Sequence, residues 1–188
     1  MSAGHGHVDP SNKHIALLIS VLALVLAFSE TLGKSTQTEA LIANIEASNL
    51  WAFFQAKSIR QTTIRTAAEA LTAQSSAQSS AQSSEGARKQ VEAWNKTADR
   101  YQSEPETGEG RKELADRAKK AEAKRDRLLA AYHQYELASA AVQIAIVLAS
   151  ASIITGTVVL TWISGGLGVI GLLFCLLGLF APTAVHLL

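Results

Sequence analysis

The sequence predicts an all-α membrane protein: three transmembrane helices, with a long antiparallel, coiled-coil-like helical hairpin inserted between the first and the second. Three observations carry that expectation. The last 52 residues, Leu137 to Leu188, contain no Asp, Glu, Lys or Arg. A second uncharged apolar run, Ile15 to Phe28, lies near the amino terminus. Between them, residues 34–136 hold 16 of the 17 Lys and Arg and 14 of the 16 Asp and Glu. A helix needs about 20 mostly apolar residues to cross a bilayer. The carboxy-terminal stretch therefore holds two passes and a turn, and the early run holds one.

Residues 1–13 are polar, contain Gly4 and Gly6, and lack periodicity, as a flexible tail does. Ser11 and Asn12 are the candidate caps of the helix that follows. Transmembrane helix 1 is expected over 14–32. Its 14-residue apolar run is short, but extension to Leu32 gives roughly 27 Å at about 1.5 Å per residue, enough for a thin bilayer. Only Lys13 precedes the run, and Ala27-Phe28-Ser29 is a weak cleavage signal, so an uncleaved anchor is expected. Glu30 falls at the inner edge of the apolar layer, where Lys34 at i+4 is positioned to pair with it.

The insert, 33–136, opens with a helix over about 34–72. Leu41, Ile42, Ile45, Trp51, Phe53, Phe54, Ile59, Ile64 and Leu71 give it a broad apolar surface that seeks a partner helix. Trp51, Phe53 and Phe54 form a candidate interaction patch, although aromatics at helical spacing more often pack internally. From Gln74 the tetrapeptide Gln-Ser-Ser-Ala recurs; a helix with an alanine stripe and a flexible Ser-rich tip both fit it. A short helix is expected over about 86–102, around Val91, Trp94 and Tyr101. Residues 103–110, Ser-Glu-Pro-Glu-Thr-Gly-Glu-Gly, read as a loop. A charged helix then runs over about 111–136, with Glu113–Arg117 and Asp116–Lys120 as i,i+4 pairs, and should lie antiparallel to the 34–72 helix. Without a stop signal it continues into transmembrane helix 2, 137–156, past Tyr132 and Tyr135 at the position of an aromatic belt. Transmembrane helix 3 is expected over 160–181.

The two carboxy-terminal spans carry stripes of small residues. Ala138, Ala141, Ala145, Ala149, Ser152 and Gly156 line one face of the first; Gly165, Gly168, Gly171, Cys175 and Gly178 line one face of the second. In lipid, such faces let backbones approach closely, and van der Waals contact drives association. They fit packing within one chain or between copies. Gln143, polar inside the second span, is expected to hydrogen-bond another helix, a contact worth about 1 kcal/mol.

Chemistry is sparse. His5, His7 and His14 do not make the amino-terminal copper motif, since His5 stands fourth once Met1 is removed. Gly108 and Gly110 belong to no phosphate loop, lacking both a Walker pattern and a preceding strand. No nucleophile–histidine–carboxylate or zinc-ligand spacing occurs, so no catalytic residue, metal or other cofactor is expected. The insert's near-neutral balance of charge argues against nucleic acid as a partner. Cys175 is the only cysteine, so no internal disulfide forms. The basic residues before the second span, Arg117, Lys119, Lys120, Lys124, Arg125 and Arg127, place the insert in the cytoplasm by the positive-inside rule.

Four stretches together resemble a bacterial family of membrane proteins, domain of unknown function family 4337. They are Ser29 to Glu39 (SETLGKSTQTE), Trp51 to Arg60 (WAFFQAKSIR), Glu104 to Leu114 (EPETGEGRKEL) and Gln143 to Ser150 (QIAIVLAS). The resemblance implies one amino-terminal span, a helical insert and two carboxy-terminal spans in a bacterial inner membrane, and it implies no activity. The functional expectation is a non-enzymatic, self-associating scaffold or adaptor: a homo-oligomer in the lipid bilayer whose projection meets its own kind or another protein. The alternative is an oligomeric channel or transport accessory, its pore lined by Gln143, Ser150, Ser152, Thr155 or Thr157.

Overall fold

The structure, a computed structural model, describes the backbone of residues 10–77 and 81–184 and the side chains of 13–77 and 85–184. The described residues form four helices and no strand: α1 (Pro10–Ala77), α2 (Ala81–Gln102), α3 (Arg111–Thr155) and α4 (Val158–Phe180). Three of them, α1, α3 and α4, are long and apolar enough to cross a membrane. Proline suits the first turn of α1, where its missing N–H has no intrahelical acceptor to lose. Gly33 does not interrupt that helix, and Gln74–Ala77 continue it.

The breaks between the later helices have local causes. Gly108 and Gly156 both adopt positive φ, 67° and 65°, a region that disfavours a side chain. Gly156 ends α3 by donating its N–H to the Ser152 carbonyl at 2.9 Å, the left-handed termination common at helix ends. Gly156 is therefore a helix terminator, exposed to its surroundings, and not a member of the small-residue face on which the stripe placed it. Between α2 and α3, Gly110 is enclosed by Glu113, the Glu104 nitrogen and the Ser103 backbone, leaving no room for a Cβ. Glu113 holds this turn: its carboxylate accepts from Ser103 Oγ at 2.6 Å and from the Glu104 N–H at 3.2 Å. The expected Glu113–Arg117 and Asp116–Lys120 pairs are not among the ion pairs of the described residues. The carboxylate of Glu113 closes a turn, and Arg117 reaches the Gly108 carbonyl at 3.5 Å.

Contacts divide the chain into two units. The first is built from residues up to Leu41 and from Arg125 onward; the second is Ile42–Lys124. In the first, Leu22, Val142 and Ala145 form a buried cluster, flanked by Leu18, Val25, Leu26, Ile146 and Leu167. In the second, Ala47, Leu50, Leu114, Ala118 and Ala121 form the core, with Trp51 and Phe54 packed against it.

Candidate functional site

No group of three or more metal-ligating side chains occurs among the described residues, so the surfaces themselves are the candidates. In the first unit the small-residue faces are in use. On α3 the buried row is Ala138, Val142, Ala145, Ala149 and Ser152, at steps of 4, 3, 4 and 3. On α4 it is Ser164, Gly168, Gly171 and Gly178, with Cys175 half-buried between the last two. Ala141 is only half-buried, and Gly165 has open space where its Cβ would stand.

A row of glycines works as holes for knobs, and the structure shows which knob fills each. A Cβ on Gly168 would stand 2.5 Å from Leu22 Cδ2, one on Gly171 2.5 Å from Val142 Cγ2, and one on Gly178 2.8 Å from the Tyr135 ring. A search for small residues finds holes and overlooks the large residues that enter them, which is why Val142 and Leu22 were not singled out. Ser164 is another omission. It is fully buried and donates to the Ala145 carbonyl at 2.7 Å, joining α4 to α3. Ser152 joins Thr161 at 2.7 Å and donates to the Thr157 carbonyl at 3.0 Å.

Several polar residues of the first unit also find internal partners. Gln143 Nε2 donates to Glu30 Oε1 at 3.3 Å, so two of the sequence candidates meet across helices. Lys34 and Glu30 form no ion pair within 4 Å: an i+4 spacing permits such a pair, but the Glu30 carboxylate turns to α3 instead. Ser150 and Thr155 donate to carbonyls one turn back, Ile146 at 2.8 Å and Ala151 at 2.9 Å. Beside Gln143 and Glu30 an open groove of about 280 Å³ is lined by Ser29, Glu30, Lys34, Tyr132, Glu136 and Ser139 among others. The Ser29 hydroxyl is buried there with no hydrogen-bond partner, whereas Ser20, Thr31 and Thr36 each bond the carbonyl one turn back.

In the second unit the aromatic patch separates into two roles. Trp51 and Phe54 face inward, edge to face at 5.4 Å, and Trp51 Nε1 donates to Glu122 at 2.8 Å. Phe53 points outward, 63 % exposed. A polar network seals the same core. Buried Gln61 donates to the Ala98 carbonyl at 2.9 Å, and Arg111 donates to both Gln61 and Gln102 while its guanidinium lies 5.0 Å over the Phe54 ring. Lys57 sits 3.7 Å from Glu109, 4.0 Å from Glu104 and 5.1 Å over the Tyr101 ring. Contacts on α1 and α3 run in opposite senses: Trp51 meets Glu122, and Gln61, further along, meets Arg111.

Two carboxyls at the α2–α3 turn lie below their ordinary pKa. The hydrogen bond from Arg100 is the main cause for Glu104, and the hydrogen bond from Ser103 for Glu113. Elsewhere on the second unit, a groove of about 690 Å³ follows the outer side of α1 along Ile59, Thr62, Thr63, Thr66, Ala67 and Ala70. His14 is exposed, and exposed His133 stands 3.6 Å from Glu136. His5, His7 and His186 lie outside the residues whose side chains are described.

The family model described as Domain of unknown function (DUF4337) matches residues 11–181. No curated protein and no solved structure matches the chain. With most of its length covered by the model, the chain belongs to the DUF4337 family.

Proposed function

We propose that this DUF4337 member is a non-enzymatic membrane scaffold or adaptor that self-associates in a bacterial inner membrane. Three spans anchor it, and residues 33–136 form an antiparallel helical hairpin on the cytoplasmic side. Three helices of sufficient length and apolarity support the anchoring. The opposite sense of the Trp51–Glu122 and Gln61–Arg111 contacts supports the hairpin. The six basic residues from Arg117 to Arg127 support the orientation.

The observation that carries the reading is the division of labour around α1 in the second unit. Its inner face is tied down by a sealed core and a buried polar network, while Ile42, Ile45, Phe53 and Ile59 remain 51–67 % exposed. A stiff element that displays large apolar side chains is built to be covered by protein. The small-residue faces of α3 and α4 pack helices of one chain, so assembly falls to other surfaces. Mass measurement in native nanodiscs tests this: one defined assembly of several copies is expected. A lone monomer at cellular abundance sinks the reading.

A further inference from the structure

We infer that the outer face of α1 between Ile42 and Ala70 is a parallel self-association seam, occupied by the same face of a second copy of this chain. The inference rests on the scaffold reading and names its interface. α1 carries two heptad rows in this region. The inner row, Ala43, Ala47, Leu50, Phe54, Lys57, Gln61, Ile64, Ala68 and Leu71, is buried or half-buried throughout. Two positions along from buried Ala40 and from each inner-row residue between Ala43 and Ala68 lies a second row at the same alternating steps of 3 and 4: Ile42, Ile45, Asn49, Ala52, Ala56, Ile59, Thr63, Thr66 and Ala70. All nine are exposed, and none is charged.

A spacing averaging 3.5 residues is the pattern by which one helix lays a seam along another. Its chemistry suits a copy of itself. With Ile42, Asn49, Ala56, Thr63 and Ala70 as a positions, Ile45, Ala52, Ile59 and Thr66 fall at d. Small side chains dominate the second half, where the groove of about 690 Å³ runs. Thr62 and Thr63 donate their hydroxyls to the carbonyls one turn back, at 3.0 and 2.9 Å. Their polar groups are thereby satisfied before any partner arrives.

Asn49 selects the parallel arrangement. At an a position it meets Asn49 of the second copy, amide to amide, whereas antiparallel pairing sets it against an apolar d residue. A single a-position Asn is known to specify register in this way, at some cost in stability. The flanking charges agree with that choice. In parallel register Glu46 faces Leu41, Arg60 faces Gln55 and Glu69 faces Gln74 of the other copy, so no like charges oppose.

Area decides how strong the pairing is. The strip is about 42 Å long and about 10 Å wide, so two copies bury on the order of 800 Å², short of the roughly 1,200 Å² of a stable soluble complex. Anchoring both copies in one bilayer raises their effective concentration and makes up the difference.

Disulfide trapping of the full-length protein in native membranes, with Cys175→Ser as background, tests the seam. Ala52→Cys and Thr63→Cys should each give same-site dimers at least tenfold above the control Lys96→Cys on α2. Adding Ile45→Glu with Ile59→Glu should return the yield to the control level with unchanged helical circular dichroism. Seam cysteines that trap no better than the control overturn the inference, including when they are shielded from maleimide by some other occupant. Trapping between Ile45→Cys and Thr63→Cys copies in place of same-site dimers also overturns it, because that is antiparallel pairing. If trapping fails while nanodisc mass still shows an assembly, this seam falls and the scaffold reading stands; a monomer by mass removes both.

Discussion

The two units of this chain align their helices at the same alternating three-and-four spacing and fill the seams with opposite materials. In the first unit glycines on α4 receive Leu22, Val142 and Tyr135, and buried hydroxyls of Ser164 and Ser152 reach across to their neighbours. In the second unit alanines and leucines make the core, aromatics close it, and Arg111, Gln61, Gln102 and Lys57 seal its margin. The difference is the one expected of a first unit in lipid, as its three apolar helices suggest, and a second unit in water. Among lipid chains, burying apolar surface gains little, so helices are held by contact area and interhelical hydrogen bonds. In water, removing apolar surface is itself the driving force, and the charged groups at the margin are held by neighbouring carboxylates, amides and rings.

The largest test of this contrast is to fill a hole. Gly171→Leu places a side chain against Val142 Cγ2 and, at 3.1 Å, the Ala138 carbonyl. Because backbone cannot yield as a side-chain tip can, the change should destabilise the first unit by about 3 kcal/mol, the upper range for overpacking. Gly165→Leu, where nothing stands within 4 Å of the added Cβ, should leave thermal unfolding in detergent unchanged. Equal effects at the two glycines would refute the knob-and-hole account. Gly168→Ala should fall between them, since only the flexible end of Leu22 must move.

The next test is in the second unit. Gln61→Ala removes a buried amide, 2 % exposed, that donates to Ala98 and accepts from Arg111. Leaving those partners unsatisfied should cost about 1–3 kcal/mol in chemical denaturation. Ser164→Ala in the first unit should cost less, about 1 kcal/mol, on the scale measured for hydrogen bonds between membrane helices.

The smallest expected effect is a dependence on pH confined to the second unit. Glu104 and Glu113 have folded-state pKa values depressed below their ordinary value. Their stabilising contribution is therefore complete above the unfolded-state carboxyl pKa and is lost as pH falls through the folded values. Protection of the amides of residues 103–110 against hydrogen exchange, taken relative to the intrinsic rate at each pH, should fall on acidification through that range, and Glu113→Gln should flatten the response. An unchanged profile in that variant would show that the carboxylate does not hold the turn.

The legible part of the fold was the part written in composition and periodicity. A charge-free run of 52 residues announces apolar helices whatever lies beside them, and Ser103 to Gly110 announces a break. The candidate site was read less completely. Glu30 and Lys34 stand at the i,i+4 spacing that permits a pair on one helix, yet Glu30 turns to Gln143. Spacing along a helix fixes which partners are within reach, while a neighbouring helix decides which of them is taken. Gly156 looked like one more small residue in a stripe and proved to be a terminator, because only the backbone angle of 65° separates the two roles.

What the sequence by itself determined is therefore one-dimensional: where apolar length suffices to cross a bilayer, where the chain turns, and which faces of each helix are small or apolar. The apolar residues of α1 read as one broad surface, and their spacing cannot say which part of it is used. The tertiary structure decided that. It buried the row from Ala43 to Leu71, left the row from Ile42 to Ala70 exposed, and matched each glycine hole to its knob. The reason is physical: burial and close packing belong to pairs of surfaces, and a single strand of sequence describes only one member of each pair.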